Sequence, residues 1–189
     1  MKLRTLFSAM IALIIGGCGS DDKSTPPTTV TTTPPVTSVS PTLIAFAPDN
    51  QLSASIRWTD YGVPHIKADN LQSLAFGSGY AYANDNICIL ADQIVKVRSE
   101  RSKYFGPDKT PGSGDSKNIV SDFGHHALQV MPKAKELYPS MSENSRALIE
   151  GYVAGYNKYL NDTGLSNLPP KCQNQPWVKP ITAQELTAF

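Results

Sequence analysis

Hydrophobic and polar positions alternate, then recur at helical spacing, in successive parts of this chain, and each pattern predicts a different element. Between Ala54 and Ala68 the pattern is that of a hairpin. Ser55, Arg57 and Thr59 alternate with Ala54, Ile56 and Trp58, Asp60-Tyr61-Gly62 supplies turn chemistry, and Val63 to Ala68 return. Pro64 has no N–H to give a ladder, so it belongs at a first-residue or edge position. Asp69 or Asn70 can cap the next stretch, which is apolar on nearly every side: Leu71, Leu74, Ala75, Phe76, Tyr80, Ala81, Tyr82 and Ala83. Such a helix is buried. Ile87, Leu90, Ile94, Val97 and Phe105 continue at three- and four-residue steps, with Lys96, Glu100 and Lys103 on the other side, until Gly106-Pro107 stops the helix.

The stretch 107 to 118 is rich in Gly, Ser, Pro, Asp and Lys and reads as a solvated loop; its "GSGDSK" lacks the spacing of a phosphate-cradling loop. Ser121 starts a further helix through Met131, and Pro132 suits the first turn of the next. Ser142 caps a long helix in which Leu148, Tyr152, Gly155 and Tyr159 form one stripe, an arrangement that reads as half-buried packing. Asn161 to Pro170 is a turn-rich exit. Thr182 and Glu185 then have the spacing of a capping box, with Leu186 and Phe189 as the first apolar residues of a new helical face. The predicted fold class is α+β: a mostly helical body that opens with a short β-hairpin.

Gly77 and Gly79 lie inside a helical pattern, where each costs about 1 kcal/mol relative to alanine, and this points to another backbone packed close by. A dinucleotide-binding reading fails because Tyr82 occupies the third glycine position. The balance of 17 basic and 16 acidic residues leaves no electrostatic footprint for nucleic acid and no basic stripe for an anionic membrane. Candidate chemistry is sparse. His125 and His126 are adjacent, so they point to different helix faces, and His65 is alone, so no metal site is expected. There is no Gly-x-Ser-x-Gly elbow and no paired carboxylate with a reason to be perturbed, so no catalytic residue is assigned in this chain.

Hydrophobic content is held to 40% by Pro, Ser and Thr crowded into residues 19 to about 45, which have too few large apolar groups to offset the entropy of ordering them. This segment reads as an extended tether. The Ser20-x-x-Lys23 spacing inside it mimics a nucleophile motif but lacks the supporting motifs and is set aside. Ahead of it, Lys2 and Arg4, the apolar run Met10 to Ile15 and Gly16-Gly17-Cys18 form an export signal too short to span a bilayer as a stable helix. Its "IGGC" ending resembles a bacterial lipoprotein box, which implies lipidation of Cys18 and a place on the periplasmic face of the envelope. Gly19 in place of aspartate favours the outer membrane. An ordinary signal peptide or membrane anchor with an incidental cysteine is the alternative. The domain reading is signal peptide 1–17, tether 18–45 and folded domain 46–189. With Cys18 lipidated, Cys88 and Cys172 remain as an even pair in an oxidising compartment, either bridged or as two buried free thiols.

The run "YGVPHIKADNLQSLAFGSGYAYANDNICILAD", then "ERSKYFGP", "SDF", "GYVAGYNKYL" and "CQNQPWVKPIT", together resemble the penicillin amidase (penicillin acylase) family, and especially its acyl-homoserine-lactone acylase and aculeacin acylase branch. The resemblance covers Ile56 to Phe189. It implies an N-terminal-nucleophile hydrolase of linear amides, made as one precursor and cut into an α chain and a β chain that fold together as an αββα sandwich. In that scheme the serine that opens the β chain attacks the amide carbonyl and its own α-amino group serves as base, aided by an amine pKa near 8 rather than the roughly 10.4 of a lysine. In the family the helix after "WVKPIT" continues into acyl-pocket residues and, in some members, a calcium ligand, all beyond Phe189. No catalytic, oxyanion or calcium position therefore transfers to a residue here, and the chain reads as an α-chain portion truncated at its C-terminus and inactive without its β-chain partner. A short exported lipoprotein that binds without chemistry, or a decayed gene fragment, is the alternative.

Overall fold

A computed structural model describes residues 44–47 and 51–189; Cys18, Ser20, Lys23, the export segment and most of the tether lie outside them. Strands β1 (Ser55–Trp58) and β2 (Pro64–Lys67) pair antiparallel, with Ile56 opposite Ile66 and Trp58 opposite Pro64. Pro64 is the first residue of its strand, where its missing N–H costs no ladder bond. This hairpin is the only sheet among the described residues. The α-helices of the described residues are α1 (Leu71–Val97), α2 (Arg101–Phe105), α3 (Asn118–Ala127), α4 (Val130–Leu137), α5 (Glu143–Thr163) and α6 (Ala183–Ala188).

The start of α1 shows why the chain ahead of the hairpin packs on it. The first three N–H groups of a helix have no partner within the helix. Here Leu71 and Gln72 donate to the carbonyls of Ile44 and Ala45, both at 2.9 Å, and Ser73 donates to the Asn70 side chain at 2.8 Å. Asn70 rather than Asp69 is therefore the cap. Gln72 reaches further, accepting from the Ala47 N–H at 3.1 Å and donating to Glu150 on α5 at 3.4 Å.

Helices α1 and α5 form the spine of the body, and glycine makes their contact possible. A Cβ on Gly79 would strike the Tyr152 carbonyl, one on Gly151 the Gln72 carbonyl, and one on Gly155 the Phe76 carbonyl. Gly77 faces the other way and leaves room for Ile66 and Ala54 of the hairpin. Both α1 glycines thus serve close packing, as their positions predict. The buried side of α5 is Ala147, Gly151, Gly155, Tyr156 and Leu160. Of the stripe expected to pack half-buried, Tyr152 and Tyr159 are partly covered and lie against the core and Gly155 is buried, whereas Leu148 is 42% exposed. Where α5 crosses α1, the inner positions are the small residues Gly151 and Gly155, while Tyr156 and Leu160 enter the core beyond the crossing.

Below this crossing Ile87, Leu90, Ile94 and Val95 of α1 meet Tyr156, Leu160, Leu168, Trp177, Val178 and Ile181 in the main core. Cys88 and Cys172 lie within it and are joined by a disulfide, with S–S 2.05 Å and Cα–Cα 5.5 Å. Closing a loop of 84 residues restricts the unfolded chain by about 4 to 5 kcal/mol on the chain-entropy model.

Four helix boundaries differ from expectation. The helix expected to run to Phe105 ends at Val97, because Ser99 takes a left-handed φ of 58° and the N–H groups of Ser99 and Glu100 return to Lys96 and Val95 at 3.0 and 3.1 Å. That is a Schellman ending built on serine, without the glycine that normally announces one. Helix α3 begins at Asn118 rather than Ser121, since the loop carbonyls of Lys109 and Pro107 accept from Asn118 and Ile119 at 2.8 and 3.1 Å. It also stops at Ala127, and after Gln129 at φ 55° the chain enters α4, which holds Met131 and, in its first turn, Pro132. Finally α5 persists through Thr163, so the turn-rich exit starts at Gly164 instead of Asn161.

Candidate functional site

A groove of about 310 Å³ with largely apolar walls lies between α1, α5 and α6. Its walls are Tyr82 and Leu90 from α1, Leu148, Ile149 and Tyr152 from α5, and Leu186 and Phe189 at the end of the chain. The Tyr82 and Tyr152 rings lie 6.1 Å apart, tilted by 48°. Burial, and then the neighbouring Tyr82, raise the Tyr152 phenol above its ordinary value. No lining residue is a nucleophile with a base beside it. The groove can hold an apolar group.

The α6 wall is held more firmly than its length of 6 residues suggests. Thr182 and Glu185 form the capping box that their spacing predicts, with the Thr182 N–H donating to Glu185 at 2.8 Å and the Glu185 N–H donating to Thr182 at 3.3 Å. Arg98 donates from Nε to Glu185 Oε1 at 2.6 Å and from Nη2 to the Pro180 carbonyl at 3.3 Å. Burial pushes the Glu185 carboxyl up, but the bonds from Arg98 and Thr182 outweigh it and hold the group below the usual glutamate range. Upstream, Asn157 of α5 grips the backbone of Ile181 with both ends of its amide, accepting the N–H at 2.8 Å and donating to the carbonyl at 2.9 Å.

A second region is organised around polar groups. The Asp122 carboxylate of α3 accepts from the N–H groups of Arg101 and Ser102 at 3.0 and 2.7 Å, which caps the start of α2. Asn118 donates to the Gly106 carbonyl at the other end of α2 at 2.8 Å. Because α3 buries Asn118 and Asp122, its apolar side faces out: Ile119, Val120 and Phe123 are 49%, 54% and 71% exposed. Of the histidines, His125 pairs through Nδ1 with the Ser121 carbonyl at 2.8 Å, while His65 is exposed on β2. The groove itself joins Leu148 and Tyr152, read from sequence as ordinary packing, to Leu186 and Phe189, read as the opening of a helical face. Tyr82 and Leu90 were legible only as parts of an apolar helix, since nothing local to them says which helices they meet.

Residues 53–185 match the family model described as penicillin amidase. The chain belongs to the penicillin amidase family. Within that family it is 44% identical over 142 residues to the acyl-homoserine lactone acylase PvdQ of Pseudomonas fluorescens, an alignment that covers 75% of this chain and 18% of that protein. It is 37% identical over 142 residues to the aculeacin-A acylase of Actinoplanes utahensis, covering 73% and 18% respectively. Among solved structures it resembles a thermostable penicillin G acylase from Alcaligenes faecalis, with TM-score 0.59 and 25% identity over 72% of this chain and 69% of that one. The penicillin amidase chain described here therefore has the fold of the helical portion of an N-terminal-nucleophile hydrolase, and it spans under a fifth of the length of the curated relatives.

Proposed function

We propose that this chain is the α-chain portion of an acylase that hydrolyses linear amides, N-acyl-homoserine lactones or acylated antibiotics, and that it is inactive until a serine-led β chain joins it. The family supplies the reaction class. The observation that carries the reading is the groove between α1, α5 and α6, which is lined for an aliphatic or aromatic acyl group yet has no group able to attack an amide. A binding wall without a nucleophile is half of an acyl-transfer site; the hydroxyl, its amine base and the oxyanion donors come from the partner chain in this reading. The outward apolar face of α3 supports such a partner, because Ile119, Val120 and Phe123 gain nothing from solvent.

The assay is release of homoserine lactone from an N-acyl-homoserine lactone by the purified 189-residue chain, alone and co-produced with a serine-led β chain from an acyl-homoserine lactone acylase relative. Turnover is expected only in the second case, and turnover by the chain alone contradicts the proposal. The export reading, with Cys18 as lipid carrier, is part of the same proposal. Metabolic labelling with a radioactive fatty acid should mark the chain and should be lost in Cys18→Ala.

A further inference from the structure

A second cavity, of about 260 Å³, is walled by residues that include Asp92, Arg101, Phe105, Lys109, Lys171 and Trp177. Arg101 is only 4% exposed. A guanidinium carries five N–H donors and remains charged at any physiological pH. Nε of Arg101 donates to Asn118 at 3.0 Å and Nη1 to Asp92 at 2.6 Å, while Nη2 has no hydrogen-bond acceptor among the described residues. Its pose is fixed from one side by the Phe105 ring, whose centroid lies 5.0 Å from the guanidinium carbon. Nη2 is not among the buried atoms that lack a partner, so it is open to solvent and free to donate to a further acceptor at the cavity wall.

Charge decides what kind of acceptor fits. Lys109 and Lys171 are exposed and form no salt bridge among the described residues, whereas the other ion pairs are accounted for by Arg98, Arg101, Lys103, Lys117 and Lys158. The wall thus sets three cations, Arg101, Lys109 and Lys171, against the single carboxylate of Asp92. A neighbouring cavity of about 440 Å³ shares Arg101 and Asp92 but adds Lys96 and Asp115, so the formal charges of these four side chains cancel. The smaller cavity is the one with positive charge to spare. Its apolar side is the edge-to-face pair of Phe105 and Trp177, with ring centroids 5.4 Å apart.

We propose that this cavity binds a small oxyanion, the carboxylate or phosphate group of a compact ligand, with Arg101 as the inner donor and Lys109 and Lys171 as the outer ones. A planar guanidinium suits either group, and the volume, below the range of drug-sized pockets, limits the ligand to a compact one. Nothing in this assignment depends on the acylase reading.

The chain has two tryptophans, so Trp58→Phe leaves Trp177 in the cavity wall as the reporter. The fluorescence of the full chain carrying that substitution is titrated with sodium acetate and with sodium phosphate, each against sodium chloride at matched ionic strength. A saturable change with either oxyanion supports the site, and the salt that produces it says whether a carboxylate or a phosphate group is preferred. The double variant Lys109→Ala/Lys171→Ala, changed at exposed positions, should bind about tenfold more weakly with an unchanged thermal midpoint. Lys96→Ala, in the neighbouring cavity, should bind as the parent does. Responses indistinguishable from those to chloride, or a double lysine variant that binds as tightly as the parent, overturn the proposal.

Discussion

Helices α5 and α3 solve opposite packing problems. Helix α5 presents its smallest residues to α1, so that backbone meets backbone at Gly151 and Gly155. Helix α3 turns its carboxylate and carboxamide inward and its large apolar residues outward. The first arrangement is complete in itself, since the contact is made by groups within the chain. The second is complete only on its polar side. Hydrophobic patterning alone would place Phe123 in a core and Gly151 on a surface, and both assignments are inverted because what lies beneath each helix differs. Under α5 there is another helix at close quarters; under α3 there are the first N–H groups of α2, which have no partner within their own helix and bond to Asp122, and the charge of Arg101.

The strongest way to break this contrast is Gly155→Leu. The new side chain must displace the Phe76 carbonyl, so a loss of about 3 kcal/mol or more is expected in urea unfolding. A loss under about 1 kcal/mol, the range of a tolerated core swap, would mean that the helices separate freely. Asp122→Ala comes next. It leaves the Arg101 and Ser102 N–H groups without their acceptor, for a cost of about 2 to 4 kcal/mol. Hydrogen exchange sharpens the test, because the amides of Arg101 and Ser102 should exchange faster while those of the α1–α5 seam keep their protection.

A smaller effect is expected on acidification. The folded carboxyl of Glu185 lies below the usual glutamate range, so its contribution to stability is complete above the unfolded pKa of about 4.3 and is lost as pH falls through the lower folded value. The protection of the α6 amides, taken relative to the intrinsic exchange rate at each pH, should fall in that acidic window in the parent and should stay unchanged across it in Glu185→Gln. Smallest of all is Phe123→Ser, for which a change within about 0.5 kcal/mol is expected, as at other exposed positions. The same substitution should weaken assembly with a co-produced β chain. A fall in thermal midpoint as large as that of Asp122→Ala would show that Phe123 is covered after all.

The sequence is most informative where structure depends on residues close together along the chain. The hairpin, the Ser142 and Thr182 caps and the place of Pro64 each follow from local spacing, and the structure has all four. The glycines at 77 and 79 announce close contact because no other role suits them inside a helix. What stays hidden is set by distant partners. Ser99 gives no sign of a left-handed ending, Asn118 gives no sign that carbonyls of the preceding loop will start its helix, and the tyrosines of α5 outweigh its glycines in any hydrophobic stripe. The groove was invisible for the same reason, since its walls come from three helices that neither spacing nor composition brings together.

Asn157 holds the main chain of Ile181 and not its side chain. The point where the chain turns into α6 is therefore set by peptide groups that every amino acid other than proline provides. Neighbouring core side chains can drift in size over generations without shifting the register of that final wall, whereas an aspartate at 157 would keep the acceptor, forfeit the donor and release one half of the grip.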